Sequence, residues 1–103
     1  MFEHNKVLKL LRELTEQELH VIYHSSGLEQ SRKMYRDYYC TYVDEKLSVG
    51  LEKKDLFYGP RGIMKNAWGT DKEAGYFYLT KLGKQIAITI KRAQNSAKSK
   101  MVR

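Results

Sequence analysis

Val7, Leu8, Leu10, Leu11 and Leu14 recur at spacings of three and four, and the run T-E-Q-E begins at the next residue, Thr15. The spacing gives a helix one apolar stripe and predicts a first helix over residues 4–13. The run reads as a capping box in which the Thr15 hydroxyl satisfies a free amide and Glu18 reaches back to the cap, so a second helix starts there. Leu19, Ile22 and Tyr23 supply its buried face, and Ser25-Ser26-Gly27 supplies its end, because glycine takes the left-handed conformation without steric cost.

From Leu28 to Val49 there is no glycine or proline, and Leu28, Tyr35, Tyr42 and Val49 fall seven apart with Tyr39 on the same face. This predicts one long helix or two shorter ones. The β-branched and aromatic cluster Y-Y-C-T-Y-V (residues 38–43) marks where such a helix would break or bend. Gly50 is expected to end the helical stretch, and Gly59-Pro60-Arg61-Gly62 reads as a turn. Extended segments at Ile63–Trp68 and Tyr76–Leu79, joined by G-T-D-K-E-A-G, read as a β-hairpin. Thr80 then caps a last helix in which Leu82, Ile86, Ile90, Ala93 and Ala97 recur at helical spacing. Ile86, Ile88 and Ile90 also alternate as a strand would, but the longer pattern and the cap favour helix.

A chain of 103 residues fits one domain, expected over residues 1–94, with a basic, flexible, fraying tail at 95–103. Its 42% hydrophobic content and eight tyrosines argue for a folded chain. Cys40 is alone, the start M-F-E-H-N-K-V has neither basic region nor apolar stretch of a secretion signal, and no apolar run reaches the roughly 18–20 residues of a membrane span. A cytoplasmic protein without membrane contact is the expectation.

The net charge of +7 is unevenly placed. Residues 1–30 hold three basic and five acidic groups, 31–54 six and four, 55–90 five and three, and 91–103 five basic and none acidic. Everything beyond the acidic start, the tail above all, attracts a polyanion.

The element order, with the segment Y-F-Y-L-T-K-L-G-K-Q-I-A (residues 76–87), resembles winged helix-turn-helix proteins of the MarR and PadR type. In those families a wing strand runs into an L-T-x-x-G turn opening the next helix, and Leu79, Thr80 and Gly83 match it. Residues 42–56, Y-V-D-E-K-L-S-V-G-L-E-K-K-D-L, are similar to the end of a recognition helix followed by the G-L that leads into the wing, with Gly50-Leu51 in that place. The resemblance covers about half the chain, and it departs from the family between Gly27 and Val43, where no break separates two helices. It implies an α+β, mainly helical, winged-helix fold: three N-terminal helices, a β-hairpin wing and a C-terminal helix. It also implies double-stranded DNA as partner, with one helix in the major groove and the hairpin on backbone or minor groove.

Candidate DNA-contacting residues follow. On a helix Arg32, Lys33 and Arg36 lie within about 100° of one another and away from the Leu28-Tyr35-Tyr42 stripe, as a phosphate-contacting strip or simply a solvated basic face. Arg61, Lys65 and Lys72 sit in or beside the wing, and Lys81 and Lys84 at the start of the last helix, where an N-terminus favours an anion or the lysines serve solubility. Tyr35, Tyr38, Tyr39 and Tyr42 beside Arg36 fit either a stacking platform for nucleic acid or a buried core or dimer stripe. Phe57, Trp68, Tyr76 and Tyr78 read as wing and core packing.

His20 and His24 share a helical face with Glu16, a metal-compatible spacing, but no H-E-x-x-H pattern and no third ligand is set by the sequence, and an exposed polar face reads as well. Cys40 lacks a nucleophile motif, and no G-x-S-x-G, Walker loop or paired-carboxylate signature is present. The expectation is therefore a non-enzymatic protein without cofactor that binds double-stranded DNA, sequence-specifically or architecturally, in transcription regulation, with its first or last helix as the candidate dimer contact. Two rivals remain open: a protein-binding inhibitor or adaptor of the kind phage and plasmid genes encode, on the same scaffold, and a metal-dependent nuclease.

Overall fold

Thr15 separates the first two helices as its capping box requires. The structure, a computed structural model, describes the backbone of residues 4–101 and the side chains of residues 5–96. Helix α1 spans His4–Glu13 and α2 spans Glu16–Ser26. The Glu18 N–H donates to Thr15 Oγ1 at 3.1 Å and the Thr15 N–H donates to Glu18 Oε1 at 3.0 Å, so two otherwise free amides are satisfied reciprocally. Gly27, at φ +78°, ends α2 in the left-handed conformation and donates its N–H to the His24 carbonyl. Val7 of α1, Leu14 just beyond its end, and Val21, Ile22 and Tyr23 of α2 are buried.

The helix expected over residues 28–49 is not there. Residues 28–37 form turns and irregular chain, Tyr38–Tyr42 is strand β1, and only Lys46–Lys53 is helical, as α3. The reason lies in the Y-Y-C-T-Y run: aromatic and β-branched side chains pack well on a pleated sheet, and of the residues spaced seven apart only Tyr42 falls in the strand. A new cap then starts α3, with Glu45 accepting from the Leu47 and Ser48 amides at 2.6 and 3.1 Å. Gly50 lies within α3 and does not end it.

The hairpin is present with its first strand moved. Strand β2 is Phe57–Met64 and β3 is Ala74–Leu79, joined by residues 65–73, which include a short 3-10 turn at Ala67–Gly69. Gly59-Pro60-Arg61-Gly62, expected as a turn, lies inside β2. Its glycines absorb bulges where the strand would otherwise reverse: pairing shifts by one residue between Tyr58↔Tyr78 and Arg61↔Tyr76, and again before Met64↔Ala74. At Gly59, φ +117°, a Cβ would stand 2.7 Å from the Tyr76 carbonyl oxygen. The sheet is antiparallel throughout, in the order β1-β3-β2.

Helix α4, Lys81–Met101, follows β3 with only Thr80 between. Thr80 Oγ1 accepts the Gly83 N–H at 3.0 Å and donates to the Asp55 carbonyl at 2.7 Å, while its N–H donates to the Leu56 carbonyl at 3.1 Å. Leu82, Ile86 and Ala87 are buried, so helical spacing prevails over the local isoleucine alternation. Residues 95–101, expected as a tail beyond the helix, are its last turns, and residues 102–103 of that tail lie outside the described residues. The fold is α+β, with four helices and one three-stranded sheet among the described residues. One core cluster joins Val7, Ile22, Leu51, Phe57, Phe77, Leu79 and Ile86, so helix and sheet residues share it. No helix among the described residues is long and apolar enough to cross a membrane.

Two consequences are measurable. A Cβ at Gly83 would stand 2.3 Å from the Leu56 carbonyl oxygen, so Gly83→Ala should destabilise the protein by about 1–3 kcal/mol, seen as a lower denaturant midpoint. Burial of Glu18 acts to raise its carboxyl pKa, but Lys54 at 2.7 Å and the Thr15 hydrogen bonds outweigh it and hold the group below 4.5. A depressed folded-state pKa contributes stability that is present above 4.5 and lost as pH falls through the folded value. Glu18→Gln should therefore flatten the acid limb of a stability-against-pH curve below about pH 5.

Candidate nucleic-acid interface

The loop between α2 and β1 is held at three points. Arg36 donates from Nε and Nη2 to the His24 carbonyl at 3.1 and 2.7 Å, Met34 packs against the core, and the Leu28 carbonyl accepts from Tyr23 Oη at 3.2 Å and Lys91 Nζ at 3.0 Å. Between this loop and α4 lies a groove of about 340 Å³. Leu28, Met34 and Ile88 give it an apolar floor, and Arg32, Lys33, Lys91 and Arg92 stand around it. Among the described residues no carboxylate lines it.

The expected strip of Arg32, Lys33 and Arg36 on a helix is thus replaced by a loop that divides its members. Arg32 and Lys33 are exposed at the groove, whereas Arg36 is committed to the end of α2, where its charge meets the partial negative charge of the helix C-terminus. Lys91 and Arg92 were missed as site residues. Their signal was present in the wholly basic run from residue 91 onward, but only the fold brings it beside the loop. Next to the groove, and sharing Met34 with it, a smaller recess of about 250 Å³ is lined by Tyr35, Arg36, Asp37 and Lys84. Lys84 pairs with Asp37 at 3.5 Å, and Lys81 is exposed one turn earlier.

The sheet presents two unlike faces. Phe57, Phe77 and Leu79 face the helices and are buried, and Tyr39 packs beside them. Burial, with the nearby Glu45 charge, raises the Tyr39 phenol pKa, so this candidate contact belongs to the inner face. The register places Tyr38, Cys40 and Tyr42 opposite Tyr78, Tyr76 and Ala74, and Tyr58 opposite Tyr78, so these residues share the outer face. Tyr58 and Tyr78 stack at 5.4 Å, while Tyr38–Tyr76 and Tyr42–Trp68 meet edge to face at 5.7 and 5.2 Å. Arg61 lies over the Tyr58 ring at 5.3 Å and Lys72 over Tyr42 at 5.4 Å. Trp68, expected as packing, is 62% exposed, and Lys65 is exposed at the end of β2. The alternation in Y-F-Y, residues 76–78, was the signal for this outward set.

His20 and His24 stack at 6.1 Å, and His24 Nδ1 pairs with Glu29. Among the described residues no three His, Cys, Asp or Glu side chains gather as metal ligands would. Compared with protein-family models, curated proteins and solved structures, the chain matches none.

The different duties of the two arginines can be separated by stability alone. Arg36→Ala should cost about 1.5–3 kcal/mol by removing two charge-assisted hydrogen bonds from a helix end, whereas Arg32→Ala should stay within about 0.5 kcal/mol of wild type in the same urea titration.

Proposed function

We propose that this chain binds double-stranded DNA through charge, on a winged-helix type of scaffold, as a cytoplasmic, non-enzymatic protein of transcriptional regulation. The observation that carries the reading is the groove in which Arg32, Lys33, Lys91 and Arg92 converge with no carboxylate among the described residues that line it. Phosphates lining a duplex are the polyanion such a cluster fits, and counterion release supplies the affinity.

The scaffold reading draws support from connectivity. A helix sits between the first two strands, the hairpin strands follow, β3 is central, and the wing runs through Leu79, Thr80 and Gly83 into a capped helix. The resemblance calls for three helices before the hairpin, and here β1 stands between the second of them and α3. The contact is accordingly assigned to the basic groove, with Arg61, Lys65 and Lys72 of the hairpin and Lys81 of α4 as further phosphate contacts, and not to an inserted reading helix. Such a contact favours backbone binding with little choice of sequence. A homodimer would double the basic surface.

The test is an anisotropy titration of a labelled random-sequence duplex at several salt concentrations. Affinity should fall with log salt at a slope of about 0.9 per neutralised phosphate, and Arg32→Glu with Lys33→Glu should weaken binding and reduce the slope by roughly 2. Absence of binding at low salt, or binding indifferent to both salt and charge reversal, rejects the proposal.

A further inference from the structure

Charge does not account for the outer face of the sheet. A solvent-facing antiparallel surface ordinarily alternates polar residues against the buried ones. Here the outward positions carry Tyr38, Tyr42, Tyr58, Tyr76 and Tyr78, extended by Trp68, and Arg61 is the only charged residue in the three strands. Tyr38, Tyr58 and Trp68 are 42%, 40% and 62% exposed, so the rings that the core does not need remain available to a ligand.

Resting on the nucleic-acid reading above, we infer that this face is a stacking platform for unpaired nucleotides. Three observations select that occupant. Arg61 and Lys72 sit over Tyr58 and Tyr42, which puts cations beside aromatic rings, where the phosphates of a strand lie when its bases stack on those rings. No carboxylate occupies a strand position, and Asp37 at the near edge is paired with Lys84. The chain also leads from the basic groove to this face: Met34 lines both the groove and the recess holding Arg36, Asp37 and Lys84, and Tyr38, the residue after Asp37, opens β1.

The hairpin connection carries Lys65 and Lys72 against Asp71 and Glu73, so its net charge is zero and the groove supplies the larger field, with Lys72 adding a local contact. A duplex cannot use such a surface, since its bases are already stacked and present only their edges in the grooves. A protein partner would also accept tyrosine, tryptophan and arginine. The cations over the rings, with no carboxylate in the three strands, favour a polyanion instead.

The experiment uses the full chain with labelled oligo-dT and, separately, the duplex. Trp68 is the only tryptophan, so its emission reports on the face without any substitution. Oligo-dT should quench it and duplex should not. Tyr38→Leu with Tyr58→Leu keeps apolar bulk on the edge strands while removing two stacking rings, and should weaken oligo-dT binding by about tenfold or more with duplex affinity within about twofold of wild type.

Unchanged Trp68 emission at saturating oligo-dT, or a double variant that keeps wild-type oligo-dT affinity, overturns the inference while leaving duplex binding intact. Wild type that binds neither nucleic acid removes the function proposed above and this inference with it. A dimer by light scattering that the double variant abolishes, with oligo-dT affinity unchanged, assigns the face to a second copy of the chain and likewise overturns it.

Discussion

The carbonyl oxygens of Asp55 and Leu56 are where the sheet and the last helix are joined. Thr80 donates to both, through its hydroxyl and its amide, while Gly83 passes so near the Leu56 oxygen that no side chain fits. Phe57 opens β2 immediately after this pair of carbonyls and Leu79 closes β3 immediately before the threonine. The junction therefore fixes two strand ends and one helix start at a single point. Leu79, Leu82 and Ile86 then enter the core in sequence, each buried because the one before is held. This is the physical content of the L-T-x-x-G pattern: a buried strand end, a cap that also reaches across the fold, and a glycine chosen for closeness of approach.

From that point the position of the basic groove follows. With the start of α4 fixed, Lys91 and Arg92 stand roughly three turns along it, and Lys91 reaches the Leu28 carbonyl just beyond the end of α2. The same carbonyl accepts from Tyr23, whose hydroxyl also meets Gln94. The loop that carries Arg32 and Lys33 is thus tied to α4 by backbone acceptors and leaves its own cations free. Arg36 performs the opposite task, giving up its charge to the α2 terminus so that the chain turns toward β1.

What was legible in the sequence was local. The capping box at Thr15, the left-handed Gly27, the cap at Thr80 and the periodicity of α1, α2 and α4 depend on neighbours within a few residues, and all are where the pattern put them. The failures are long-range. Y-Y-C-T-Y becomes a strand because β3 offers it an open edge, and the Leu28-Tyr35-Tyr42-Val49 spacing is a coincidence that only pairing with residues 74–78 resolves. The glycines of G-P-R-G mark bulges and not a reversal, since Tyr76 and Gly75 press against that part of β2. On the interface side, Arg32 and Lys33 were legible by charge, but Lys91 and Arg92 acquire meaning only through a fold that brings residue 91 beside residue 28.

The groove and the outer face of the sheet differ in their balance of charge and aromatic area, four cations around the one and a set of rings with Arg61 and Lys72 over them on the other, and the difference has a physical consequence. Cations around an apolar floor hold a phosphate chain by field, with little demand on its conformation, whereas rings held by cross-strand pairing demand a flat partner in a set register. The tyrosines support one another across strands at 5.4 and 5.7 Å and so cost little side-chain entropy on binding, because the sheet has already ordered them. The lysines and arginines of the groove are exposed and unconstrained at their tips, apart from Lys91. Salt should therefore weaken the hold of the groove more than that of the aromatic face, where Arg61 and Lys72 add charge to stacking, so a ligand engaging both would keep part of its affinity at high salt.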